Sequence, residues 1–175
     1  MQTVVKDQLD TILSSIPNIP YSDVPIGKDE NSNIEILKSG TIPNFTFKTK
    51  SHYELGESLE MLDFDLATKT TGSRFVFVKD KLALLERALS NFMLDTHVNI
   101  NGYKEISPPL IATDSTMFGT GQLPKFDNDQ FELKLEDSND RKFLIPTAEV
   151  ILTNIVKDKI VDKKNLPMRM VASTP

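Results

Sequence analysis

The chain has 175 residues and a formal charge of −5, from 20 Lys and Arg against 25 Asp and Glu. That length is about one domain, and 39% apolar residues is enough for a core, if a little below globular usage of roughly 45–50%. The absence of Cys excludes a disulfide framework, a thiolate nucleophile and Cys-ligated zinc or iron–sulfur sites; no apolar run is long enough for a transmembrane helix, and the acidic balance disfavours a stand-alone nucleic-acid binder, which needs a basic face.

Met1–Asp10 has neither the basic start and apolar stretch of a secretory signal nor an Arg-rich transit pattern, which makes the cytoplasm the expected compartment. Val5, Leu9, Ile12, Leu13 and Ile16 recur at helical spacing and predict a helix over residues 4–16. With no cap before it, this stripe is expected to be the last turns of a longer helix. Pro17 and Pro20 stop it, and the segment 17–33, rich in Pro, Asp, Asn and Ser, is expected to be a connector. Short β-like pieces follow at Ile34–Leu37 and Phe45–Lys48. Residues 53–61 predict a short helix, and Asp63 is placed to cap a second one ending at Gly72. Phe75, Val76, Phe77 and Val78 form an apolar run that predicts a strand buried on both faces.

The strongest element is a helix from Lys81 to about Val98, with Asp80 before it as cap and Gly102 after it as stop signal. Leu82, Leu85, Leu89, Phe92 and Met93 line it, and Leu84, Ala88 and Val98 widen the apolar surface. Such girth requires a deep core or a second partner. Tyr103–Ser107 predicts a strand ending at Pro108 and Pro109, and therefore an edge or a terminus of a sheet. Gln130–Leu135 and Lys142–Ile145 predict a hairpin around Asp137-Ser138-Asn139-Asp140. Pro146 suits the first turn of a helix whose buried side is Ala148, Val150, Ile151, Ile155 and Val156. Met168–Ser173 predicts a last strand.

Few residues suit chemistry. His52 and His97 are distant from each other and have no carboxylate at metal-ligand spacing, so no metal site is expected. There is no G-x-S-x-G elbow. Gly119-Thr120-Gly121-Gln122 has the glycines of a phosphate loop but not the Walker A spacing. The acidic cluster Asp127, Asp129, Glu132, Glu136, Asp137 and Asp140 is compatible with a bound cation or with a solvated hairpin. Pro146-Thr147-Ala148-Glu149 places a hydroxyl and a carboxylate at a helix start. Glu149 there can accept from an ammonium group, or simply be a favourable first-turn charge stabilising the helix by about 0.3–1 kcal/mol.

Several strings carry a resemblance. Gly102–Leu110, GYKEISPPL, is similar to motif 1 of the class II aminoacyl-tRNA synthetases. TGQLPKF at Thr120–Phe126 and IPTAEV at Ile145–Val150 resemble the seryl-tRNA synthetases in particular. IPNIP at Ile16–Pro20, ELGE at Glu54–Glu57, LDF at Leu62–Phe64, GSRFVF at Gly72–Phe77 and LERALSNFMLD at Leu85–Asp95 follow the same family in collinear order. The resemblance implies an α+β fold, a mostly antiparallel sheet flanked by helices. It implies that residues 1–16 are the remnant of a helical tRNA-binding arm, 17–33 a connector and 34–175 the N-terminal half of the catalytic domain. Motif 1 is present; motifs 2 and 3, with their ATP-contacting arginines, have no match. The activity so implied is activation of serine by ATP, accompanied by Mg²⁺, and transfer to tRNA. On this chain alone it is expected to be incomplete, with no catalytic residue and no membrane partner. Thr147, Ala148 and Glu149 would contact serine, with Thr120–Phe126 bordering the pocket. Leu89, Phe92 and Pro109 would lie in a homodimer interface, or in a contact with a full-length synthetase. The alternative is a non-catalytic synthetase-like protein that binds a partner through the motif 1 helix; a third possibility is a small-molecule binder using the Thr-Ala-Glu pocket without chemistry.

Overall fold

The computed structural model describes residues 2–134 and 140–175. Two compact units divide between Lys79 and Asp80.

Unit 1 opens with helix α1 (Gln2–Ser15), followed by a long irregular stretch whose regular element is a single 3₁₀ turn at Glu30–Ser32. Helix α2 (His52–Ser58) starts in a capping box: Ser51 Oγ accepts the Glu54 N–H, and the Ser51 N–H donates to Glu54 Oε2 at 2.7 Å. These bonds hold the Glu54 carboxyl below its ordinary pKa. Strand β1 (Leu62–Asp63) leads directly into helix α3 (Phe64–Thr70), and β2 (Phe77–Val78) pairs antiparallel with β1. Asp63 does what its position predicts. Its Oδ1 accepts the Leu66 N–H at 2.9 Å, and its Oδ2 pairs with Lys79 Nζ at 3.0 Å. One carboxylate thus caps α3 and ties it to the end of β2.

Two expectations in unit 1 are corrected. The apolar run at 75–78 forms a strand of two residues with one neighbour, and Phe75, Val76 and Phe77 are each about 40% exposed rather than buried on both faces. The pieces 34–37 and 45–48 are not strands. Their alternating apolar letters find no ladder partner, and a strand without one has no hydrogen bonds to hold it.

Unit 2 begins with the long helix α4 (Asp80–Asn99). Asp80 has φ +53°, outside the right-handed helical region, so it marks the entry corner. Gly102, at φ +69°, follows the last turn, and the Tyr103 N–H returns to the His97 carbonyl at 3.0 Å. Only glycine takes that left-handed corner without a steric cost, which is how the stop signal works. Strand β3 (Lys104–Glu105) pairs parallel with β7 (Met170–Val171), Lys104 opposite Met170. A second sheet has the antiparallel order β4 (Ile111–Thr113), β6 (Lys142–Leu144), β5 (Glu132–Leu133). Helix α5 (Asp114–Gly119) leaves β4 with Thr113 as its cap, and helix α6 (Glu149–Asn154) follows β6. The predicted hairpin pairs as expected, with Glu132 opposite Phe143; the tip at Asp137, Ser138 and Asn139 lies outside the described residues.

The core belongs to this second sheet and its helices: Ala112, Met117, Leu123, Phe143, Ile145 and Val150 are buried, and Ile151 packs on them. Ala112 and Phe143 face each other across β4 and β6 on the same side, as a period of two requires. Among the described residues no helix is long and apolar enough to cross a membrane.

Candidate functional site

The Thr-Ala-Glu segment is an exposed corner between two buried anchors. Ile145 ends the strand side: its N–H donates to the Leu110 carbonyl at 2.9 Å, and its side chain is in the core. Val150 is fully buried on the helix side. Between them Thr147 and Glu149 are exposed and Ala148 half-buried. Pro146 is therefore not in the first turn of the helix. The chain is still leaving the sheet at Ile145, α6 starts at Glu149, and Ala148 occupies the cap position without a side-chain bond. With six residues and no cap, α6 has little dipole to focus, so the corner must act through its side chains.

Two clefts meet at this corner. One, of about 460 Å³, is lined by Tyr103, Thr147, Ala148, Glu149, Arg169 and neighbours. The other, of about 380 Å³, is lined by Ser90, Met93, His97, Thr147, Ala148 and Ser173 among others. Ser90 Oγ and Ser173 Oγ lie 2.7 Å apart and join α4 to the segment after β7. The site therefore draws on four separate stretches: α4, Tyr103, the start of α6 and the β7 region. Tyr103, Arg169, His97 and Ser90 are neighbours to which the sequence gives no role at this corner. Arg169 had the best available signal, a lone charge inside the apolar stretch Met168–Val171. An adjoining cleft of about 690 Å³ shares Arg169 with the first and is also lined by Lys104, Lys159, Asp162 and Lys164, over Ile106 and Met170.

The Thr120–Phe126 segment lines neither cleft at the corner. It folds onto the end of α5: the Gly121 N–H donates to Phe118, and the Gln122 N–H to Met117, both at 3.0 Å. Leu123 joins Met117 and Val150 in the core cluster, so this segment meets α6 through packing.

The acidic cluster is organised by a cation of the protein's own. Arg141 donates from Nε to Glu132 Oε1 at 2.8 Å and from Nη2 to Asp127 Oδ1 at 2.7 Å, with its guanidinium over the Phe143 ring at 4.9 Å. The fork-shaped donor suits two carboxylates at once. It holds the Glu132 carboxyl below its ordinary pKa and raises the Arg141 guanidinium further. Glu136 and Asp137 lie outside the described residues. Among the described residues no group of three or more His, Cys, Asp or Glu comes together as metal ligands, and none is assigned a role toward Mg²⁺.

On α4 the apolar face predicted by its girth is exposed. Leu89 is 49% and Phe92 67% accessible, and Leu84, Leu85 and Met93 share the exposure. Half-buried Ala83, Ser90, Leu94, His97 and Val98 lie on the other side. Pro109 is exposed too.

No family model matches the chain. Among curated proteins, it is 86% identical over all 175 residues to the serine–tRNA ligase of Pelagibacter ubique (strain HTCC1062), and spans 42% of that protein. It is 52% identical over 168 residues to the serine–tRNA ligase of Brucella canis, spanning 38% of it. Among solved structures, the seryl-tRNA synthetase of Pyrococcus horikoshii complexed with ATP superposes with a TM-score of 0.81 at 30% identity, over 97% of this chain and 42% of that one. The cytoplasmic serine–tRNA ligase of Naegleria fowleri in complex with AMP gives 0.81 at 25%, over 95% and 39%. The fold is thus α+β, that of a class II aminoacyl-tRNA synthetase. In sequence and in fold, these 175 residues correspond to a part, about two fifths, of a seryl-tRNA synthetase.

Proposed function

We propose that the chain is the part of a serine–tRNA ligase that recognises the amino acid. In the whole enzyme, serine's carboxylate attacks the α-phosphate of ATP to give seryl-adenylate and pyrophosphate. The seryl group then passes to the terminal ribose of tRNA and AMP leaves. ATP brings Mg²⁺ as part of the substrate. Thr147 and Glu149 contact serine: the threonine hydroxyl accepts from the amino group, and the Glu149 carboxylate opposes the ammonium charge. Ala148 between them keeps the corner narrow. The observation that supports this is the placing of all three at an exposed corner locked by Ile145 and Val150, where two clefts open. Residues 1–16 are the end of the tRNA-binding arm, 17–33 a connector and 34–175 the first half of the catalytic domain. The working compartment is the cytoplasm.

Leu89, Phe92 and Pro109 form the homodimer contact, supported by the bare apolar face of α4. The same face supports a second reading, in which the chain binds a full-length synthetase without doing chemistry.

The arginines of motifs 2 and 3 neutralise triphosphate charge by family resemblance and have no match here. Electrostatic stabilisation is usually the largest catalytic contribution, so residues 1–175 alone give no serine-dependent ATP–pyrophosphate exchange. The test is made in a full-length enzyme carrying this segment. Glu149→Gln removes a charge-assisted bond of about 1.5–3 kcal/mol, so serine KM rises roughly ten- to hundredfold. Thr147→Ala acts in the same direction, and ATP KM stays put. Unchanged serine KM in both variants overturns the assignment.

A further inference from the structure

Besides the core, a polar clasp joins α6 to α5. Asn154, the last residue of α6, is half-buried. Its Nδ2 donates to the Thr116 carbonyl of α5 at 3.0 Å and to the Val150 carbonyl of its own helix at 2.8 Å. Two acceptors on one nitrogen fix the orientation of the amide. The space for it is made by Gly119. A Cβ added there would stand 2.6 Å from Asn154 Oδ1 and 3.4 Å from its Cγ and Nδ2. Gly119 is the last residue of α5 and its φ is not positive. Its smallness is needed for the neighbour, since the backbone conformation itself would accept alanine. Lys157 adds an exposed strap, Nζ to the Ser115 carbonyl at 2.9 Å.

We infer that Asn154 is a positioning residue for serine recognition, with Gly119 as its required partner, because the clasp fixes where α6 presents Glu149 and, through the Val150 N–H on the Thr147 carbonyl at 3.3 Å, where the turn before it holds Thr147. This rests on the serine-pocket assignment above. Val150 lies next to Glu149, and its carbonyl is one of the two that Asn154 holds. The other belongs to α5, whose end also carries the turn at Met117–Leu123. The clasp thus makes one body of the corner and the 120–126 segment, which lie far apart in sequence. Displacing α6 by a fraction of an ångström weakens contacts made by exposed side chains at its start, since binding geometry of this kind tolerates little misplacement.

The experiment uses a full-length enzyme carrying this segment and measures KM for serine and for ATP. Asn154→Asp keeps the shape but sets a carboxylate against two carbonyl oxygens; serine KM rises about tenfold and ATP KM stays within about twofold. Gly119→Ala pushes the amide off its acceptors, and serine KM rises severalfold; this milder variant keeps the test alive if Asn154→Asp does not fold. Asn154→Ala raises serine KM as well, and Gly119→Ala/Asn154→Ala is no worse than Asn154→Ala, because the collision needs both side chains. Lower melting temperatures with unchanged serine KM, or single effects that multiply in the double variant, overturn the inference. Glu149→Gln measured alongside separates the two proposals. If it raises serine KM while the Asn154 and Gly119 variants do not, only the clasp falls. If Glu149→Gln and Thr147→Ala both leave serine KM unchanged, the serine pocket falls and the clasp's role goes with it.

Discussion

The two units use their apolar residues in opposite ways. Unit 2 closes six side chains, Ala112, Met117, Leu123, Phe143, Ile145 and Val150, into one buried cluster. In unit 1 Ala67 is the buried hydrophobic among the described residues, while Val5, Leu9, Ile12 and Leu13 on α1 are 52–60% exposed. Composition does not separate them, since both are written with Leu, Ile, Val and Phe. The difference is topological. In unit 2 a three-stranded sheet and two helices converge on Phe143, whereas unit 1 has a two-residue ribbon and helices linked by irregular chain. Burial, and not apolar content, is what stabilises a fold.

The largest effect that would sharpen this contrast is a truncation inside the cluster. Phe143→Ala should cost about 3–5 kcal/mol in the denaturant unfolding of unit 2. Leu9→Ala on α1 should change it by less than about 0.5 kcal/mol. Equal losses would show that α1 is part of the same cooperative fold. A smaller effect is expected on α4. Leu89→Asp or Phe92→Asp should weaken self-association of the chain about tenfold or more in sedimentation, with little change in circular dichroism because both positions are exposed in the single chain. A well-folded chain that stays strictly monomeric at high concentration would remove α4 as an interface.

The smallest effect is acid-dependent and touches both units. The Leu66 N–H and Lys79 hold the Asp63 carboxyl down in unit 1, and Arg141 holds down Glu132 in unit 2. For a lowered folded pKa the stabilisation is complete above the unfolded value, near pH 4, and is lost as pH falls through the folded one. Asp63→Asn should therefore flatten the acid limb of unit 1 alone, and Glu132→Gln that of unit 2 alone, read by hydrogen exchange of peptides from each unit. A single acid transition shifted equally by either variant would break the division at Lys79.

The readable part of the fold was that built from local chemistry. Asp63 before Phe64 and Gly102 after α4 are capping signals that act within a few residues, and each appears where its spacing puts it. The 20-residue α4 has enough turns for its period to stand out. Strands of two or three residues, and a helix of six such as α5, carry almost no period, which is why β1, β4 and α5 gave no warning and why 34–37 and 45–48 misled. The Thr-Ala-Glu corner was visible as a string, but its true helix start was not, because the tie from Ile145 to Leu110 is long-range.

By itself, then, the sequence determined the cap of α3, the course of α4 with its glycine stop, the acidic hairpin and the family to which its strings correspond, all properties of neighbours along the chain. Only the tertiary structure decided that Arg169 and Tyr103 border Thr147, that Arg141 takes up two of the acidic cluster's carboxylates, and that Gly119 lies against the Asn154 amide. Those contacts join residues many positions apart, and which of the many compatible pairs forms is set by how sheet and helices pack around Phe143, a choice that no local spacing encodes.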